Sequence, residues 1–160
     1  MAHTRDDVVA GALRVLDGFG LEFCSMRRVA AELDVQASAL YHHVPNKQTL
    51  LALMADRIVD GVEVTQDVAA SMHRLREAML AIRDGADVVA TATAFRLGTS
   101  AVEEALIASI GPDVARTLLI YVVGHTQTTQ LHRQAADAGA ITLDPDLDAS
   151  FERGLGIILR

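Results

Sequence analysis

The side chains of this 160-residue sequence that could do chemistry are few, and most stand too far apart to act together. Cys24 is the single cysteine, so it has neither a disulfide partner nor a resolving thiol, and it reads as a small buried hydrophobe. His42 and His43 are adjacent, and helical neighbours point about 100° apart, so one metal ion is hard to share between them. His125 and His132 lie on one face of a helix with Thr128 and Thr129 nearby. That polar patch suits either a ligand or a packed dimer seam with satisfied hydrogen bonds. No Ser-His-Asp pattern, phosphate-cradling glycine loop or close carboxylate pair stands out. Catalysis has no support, and no cofactor or metal is expected. The remaining candidates are polar and basic groups between Ser25 and Lys47, and their arrangement suits binding.

Ser25 to His43 has the dimensions of a helix, a tight break and a second helix. Ser25 reads as an N-cap, and Met26, Val29, Ala30 and Leu33 form the buried face behind it. Asp34-Val35 interrupts the pattern where the chain must turn, and Asp tolerates a left-handed backbone better than most residues. Gln36 to His43 forms the next short helix, which ends at about Val44 because Pro45 cannot continue it. Leu40 turns inward against Val29 and Leu33. Gln36, Ala37, Ser38, Tyr41 and His42 are then left on an outward edge of the size that enters a DNA major groove.

The elements that must hold this edge read almost wholly at helical period, with no convincing alternating strand. Thr4 caps a first helix with Asp7 as its box partner, and Val8, Val9, Ala12, Leu13, Leu16 and Phe19 form its stripe up to Gly18 and Gly20. Asn46 caps a fourth helix carrying Leu50, Leu51, Met54, Ile58 and Val62. Further helices are expected over 68–83, 87–95, 101–110 and 113–138. A last one opens with Asp144 as N-cap and Pro145 as first helical residue. Hydrophobic residues make up 51% and charged ones 22%, which excludes a disordered chain. Aromatics are only 4%, so the core must be aliphatic, as helix packing allows. Net charge is −7, against a general nucleic-acid coat protein, yet residues 1–48 carry five basic against six acidic side chains. A nearly neutral head thus stands on an acidic body. No apolar leader follows the first residues, and the most apolar stretch, near Leu118 to Val123, is too short to span a bilayer. A cytoplasmic protein without a membrane partner is expected.

The segments SMRRVAAELDV (25–35) and LYHHVPNKQTLL (40–51) resemble the DNA-binding domain of TetR-family, Tet-repressor-like transcriptional regulators. RDGADVV (83–89) and YVVGH (121–125) are similar to parts of a Tet-repressor-type regulatory domain. The resemblance implies an all-α homodimer with a three-helix head over 1–46 and a ligand-binding and dimerisation body over 47–160. It implies phosphate contacts for Tyr41, His43 and Lys47, and DNA contacts for Ser25, Arg27 and Arg28, with Arg27 at a guanine edge. The expected partners are double-stranded, palindromic operator DNA and a small hydrophobic or aromatic effector. The effector pocket is expected among Leu75, Met79, Val89, Phe95, Tyr121, His125 and Thr128. Three departures from the family pattern stand out. Asp34 replaces the usual turn glycine, the body is short, and Val89 and Arg133 occupy the positions of metal-coordinating His and Glu. The last change removes the anchors of a magnesium–tetracycline chelate.

Overall fold

The computed structural model describes residues 4–97 and 101–160. Among these residues the regular structure is helical: nine α-helices and one 3₁₀ turn, with no strand. The first helix, α1 (Arg5–Phe19), starts in a reciprocal box. The Thr4 hydroxyl accepts the Asp7 N–H at 3.2 Å, and Asp7 accepts the Thr4 N–H at 2.7 Å. Its buried side is Val8, Val9, Ala12, Val15 and Leu16. Phe19, expected inside, is 45% exposed, because Val15 already fills the inward position one turn earlier. Gly18 lies within the helix, and the stop is Gly20 at φ 84°.

After the 3₁₀ turn Leu21–Phe23 come α2 (Met26–Glu32), α3 (Ala37–Leu40) and α4 (Lys47–Ile58). α1 packs on α2 and α4, and α2 packs on α3. Leu40 is buried at their centre. α2 ends with the Val35 N–H on the Ala30 carbonyl and the Asp34 N–H on the Ala31 carbonyl, at 3.0 and 3.3 Å. This double bond across a left-handed residue is a Schellman cap, with Asp34 at φ 53°. The same motif closes α8, where Gly139 holds the left-handed place. Because no hydrogen bond or ion pair among the described residues holds the Asp34 side chain, Asp34→Gly is expected to stabilise the fold by about 0.5 kcal/mol, read by urea unfolding. A lower midpoint would show that its carboxylate has a role in folding.

The body holds α5 (Val68–Leu80), α6 (Gly85–Ala94), α7 (Ala101–Ile110), α8 (Pro112–Asp137) and α9 (Leu147–Ile158). α8 is the axis, with α5, α6, α7 and α9 all packed on it, while α4 packs on α6 and so ties head to body. α5 stops before the expected position 83, and α6 starts before 87. The turn between them is tight: Asp84 is left-handed at φ 55°, and a Cβ on Gly85 would lie 2.5 Å from the Met79 carbonyl. α9 starts later than expected. Asp144 does accept an N–H, but from Asp146 at 2.9 Å, so it holds a turn through Pro145, and the helix opens at Leu147. α4 likewise ends before Val62.

One row of α8 secures the α5–α6 corner. Gln127 donates to Asp87 at 2.6 Å, and Gln134 to Asp84 at 2.8 Å. Between them the buried Gln130 accepts the Ala86 N–H at 3.0 Å and donates to the Ile82 carbonyl at 2.9 Å. Asp84 also accepts the Leu21 N–H at 2.7 Å, a direct bond from body to head.

Candidate nucleic-acid interface

Ser25 caps α2 by accepting the Arg28 N–H at 3.2 Å, which fixes where that helix points Arg27 and Arg28. Both arginines are exposed. Arg28 lies over the Phe19 ring, 3.9 Å from its centroid, so part of its surface is committed to the protein. Arg27 makes no ion pair among the described residues. Gln36, at the N-cap of α3, and Ser38 within it are exposed, while Ala37 is half-buried against the core. Tyr41 and His42 are exposed in the turn that follows, and His43 is half-buried. Asn46 caps α4 by accepting the Thr49 N–H at 2.8 Å, which leaves Lys47 exposed at the first helical position. Backbone N–H groups and the helix dipole favour an anion there. All ten DNA-contact candidates present at least part of their surface, though Ala37 offers little beyond its methyl.

Cys24, just behind this edge, is buried, and burial pushes its thiol above the usual value. It packs as a thiol with Sγ 3.9 Å from the Ala12 carbonyl, in keeping with a structural place.

A cavity of about 370 Å³ lies where α4 meets the body. Ala55, Asp56 and Val59 of α4 form one side, Leu75, Val89 and Ala92 another, and Leu119, Ile120 and Val123 of α8 a third. α4 therefore begins at the candidate DNA edge and ends beside the cavity.

The model for "Bacterial regulatory proteins, tetR family" matches residues 8–54. The class G tetracycline repressor protein of Vibrio anguillarum is 31% identical over 149 residues, which take in 82% of this chain and 69% of that one. The crystal structure of Mycobacterium smegmatis BioQ superposes with a TM-score of 0.89 at 32% identity, covering 98% of this chain and 95% of that one. A second BioQ structure, bound to its double-stranded DNA operator, has a TM-score of 0.83 at 31% identity, with 98% and 96% covered. The chain belongs to the tetR family of bacterial regulatory proteins. It is a DNA-binding transcriptional regulator, and its relatives are regulators rather than enzymes. The repressor DrrR1 of Streptomyces coeruleorubidus is 53% identical over 55 residues, but this chain spans only 20% of its length. No helix among the described residues is long and apolar enough to cross a membrane.

In this TetR-family body the expected pocket residues do not come together. Leu75 and Val89 line the cavity. Met79 is fully buried in the core, and Phe95 is 68% exposed at the end of α6. Tyr121 and His125 turn toward α9. The Tyr121 hydroxyl meets the Ser150 and Phe151 carbonyls at 3.1 and 3.0 Å, and His125 bonds the Ser150 hydroxyl at 2.8 Å. Tyr121 and Phe151 stack with centroids 5.9 Å apart. Thr128 is exposed and donates to the Gly124 carbonyl at 3.0 Å. The reason is angular: the cavity row on α8 is Arg116, Leu119, Ile120 and Val123, and residues 121, 125 and 128 face round from it. That row repeats at three- and four-residue spacing and was readable; the walls from α4 and the Arg96–Leu97 segment were missed.

Nor do the two histidines of α8 act together. His132 accepts the Asp144 N–H at 2.9 Å. Burial first, then the Arg76 charge, hold His125 below the usual histidine value, so it sits neutral in its hydrogen bonds. Arg133 joins Arg76 on Asp148, at 2.9 and 2.7 Å, a latch between α5, α8 and α9. The Arg76 hydrogen bond keeps Asp148 below the ordinary carboxylate range.

Proposed function

We propose that this TetR-family regulator is a homodimeric repressor that grips a palindromic operator and is released when a small molecule fills the cavity. The observation that carries the reading is α4, with Lys47 at one end and Ala55, Asp56 and Val59 against the cavity. Its twelve residues span about 18 Å, so a ligand pressing on the far turns tilts the end that bears Lys47. Such a ligand shifts the equilibrium only by its differential affinity for the gripping and released states. The head is taken as 1–46 and the regulatory part as 47–160, since the second half of α4 serves the cavity.

Dimerisation is supported by apolar residues left uncovered on α8 and α9. Ile120 is 64% exposed, Leu131 49% and Ile157 66%. Ile120 and Leu131 stand three turns apart on one face of α8, which suits a four-helix seam with a twofold mate. Two recognition edges would then stand about 34 Å apart, matching a palindrome. Light scattering coupled to size exclusion tests the dimer, and a monomer at micromolar concentration would remove the palindrome.

Base-reading is assigned to Arg27 with Gln36, Ser38 and His42, and phosphate binding to Tyr41, His43 and Lys47, with Ser25 and Arg28 alongside. Arg27→Ala is expected to cost about 1–3 kcal/mol on operator and little on random duplex. Lys47→Ala is expected to weaken both alike and to reduce the salt slope by about one. Fluorescence anisotropy on both duplexes reads the two outcomes. Equal affinity of the wild type for operator and random DNA would overturn the specific-repressor reading. An operator affinity that no cavity-bound molecule alters would instead favour a regulator without an effector.

A further inference from the structure

We propose that the cavity is shaped for an aliphatic organic anion, a hydrocarbon chain ending in one carboxylate, with Arg96 and Arg116 as its anchors. This rests on the reading of the cavity as the effector site and names the chemistry that site selects.

The walls set the first half of the inference. Among the described residues no aromatic ring or histidine lines the cavity; its apolar surface comes from aliphatic side chains such as Leu75, Val89, Leu119 and Val123. An aromatic effector would find no ring to stack on, whereas a flexible chain packs against aliphatic groups. The aromatic side chains of the body are occupied elsewhere, Tyr121 and Phe151 with each other and Phe95 at the surface. A volume of about 370 Å³ lies near the small end of ligand pockets, room for one compact molecule.

The charges set the second half. Arg96, just past α6, and Arg116, in the second turn of α8, both line the cavity. The arginine ion pairs among the described residues use Arg14, Arg57, Arg76, Arg133 and Arg153, leaving these two guanidiniums uncommitted. Guanidinium is a planar, permanently charged fork that matches a carboxylate. Two acids also reach the cavity. Glu103 is already engaged in contacts of its own. Asp56 also borders a shallow outer depression that holds Arg5 and Arg57, and burial alone raises its carboxyl above the usual value. The two guanidiniums thus line the cavity without an ion pair among the described residues, and of the two acids beside them Asp56 has its carboxyl raised by burial.

The backbone at Arg96 points the same way. It is the left-handed residue of a Schellman cap, φ 50°, with the Leu97 N–H on the Ala92 carbonyl at 2.9 Å and its own N–H on the Thr93 carbonyl at 3.1 Å. Gly139 fills that place at the end of α8. A side chain with a Cβ is strained there, and an anchoring contact from Arg96 to a bound anion would offset that strain.

The test measures binding of decanoate, decanol and decyltrimethylammonium to the whole protein by calorimetry, with operator affinity read alongside. Decanoate is expected to bind at least about tenfold more tightly than decanol, and Arg96→Gln or Arg116→Gln to remove most of that preference while decanol still binds. Arg96→Gly is expected to raise the melting temperature of the ligand-free protein yet lose the preference, which separates anchoring from folding. Equal binding of decanoate and decanol, or a preference for the ammonium probe, would overturn the anion assignment and leave the effector reading standing. Decanoate that binds as expected without loosening the operator would support the assignment and overturn the effector reading. Binding by none of the three would overturn the aliphatic-anion assignment.

Discussion

Gly154→Ala is expected to lower stability by about 3 kcal/mol, while Gly156→Ala, two residues along the same helix, raises it by about 0.5 kcal/mol. A Cβ at Gly154 would lie 1.9 Å from the Tyr121 hydroxyl oxygen and 2.1 Å from its ring carbon; one at Gly156 meets nothing within 4 Å. Tyr121 cannot yield cheaply. Its hydroxyl donates between two α9 carbonyls, its ring stacks on the fully buried Phe151, and Phe151 packs in turn against His73, His125 and the Arg76 guanidinium. Pushing Tyr121 out forfeits the hydroxyl's single shared bond at about 1 kcal/mol and the ring contact at about 0.5–1.5 kcal/mol, besides the packing. Urea unfolding at fixed protein concentration decides the matter, since a dimer's apparent stability depends on concentration. If both alanines shift the midpoint the same way, the glycine does not serve to admit the tyrosine.

The contrast between those glycines was not legible in the sequence, and the reason is general to this chain. Features fixed by three or four neighbouring residues were readable: the Thr4–Asp7 box, the Ser25 and Asn46 caps, the break at Asp34, and the whole of α7. The outward edge of the helix-turn-helix follows from such local signals, because Leu40 can face only one way once Pro45 ends the segment. α8 is different. It meets α5, α6, α7 and α9, so apolar and polar residues ring most of its circumference and periodicity alone does not say which row faces which partner. There the expected pocket residues Tyr121, His125 and Thr128 stand off the row that lines the cavity. Arg96 carried no warning either, since the left-handed place it fills is normally announced by glycine.

The partners of Asp84 were equally hidden, for one is Leu21 in the head and the other Gln134 near the end of α8. Asp84→Gly is expected to destabilise the protein by about 2–3 kcal/mol and to weaken the coupling between cavity and operator. Asp84 is left-handed at φ 55°, so glycine relieves backbone strain there as it does at Asp34, φ 53°. The carboxylate reverses the sign. At Asp84 it accepts bonds of 2.7 and 2.8 Å from two different parts of the molecule, and hydrogen bonds to a charged group contribute about 1.5–3 kcal/mol each when half-buried. Asp84→Asn keeps an acceptor for Leu21 and lets the Gln134 amide turn over, so its loss should be smaller than that of glycine. Urea midpoints for the glycine variants at 34 and 84 read the stability terms, and operator affinity with and without a cavity ligand reads the coupling. Should both glycine variants prove stabilising, the bond from Asp84 to the Leu21 amide contributes nothing, and head and body are linked through α4 and through the Arg83 N–H on the Asp17 carboxylate.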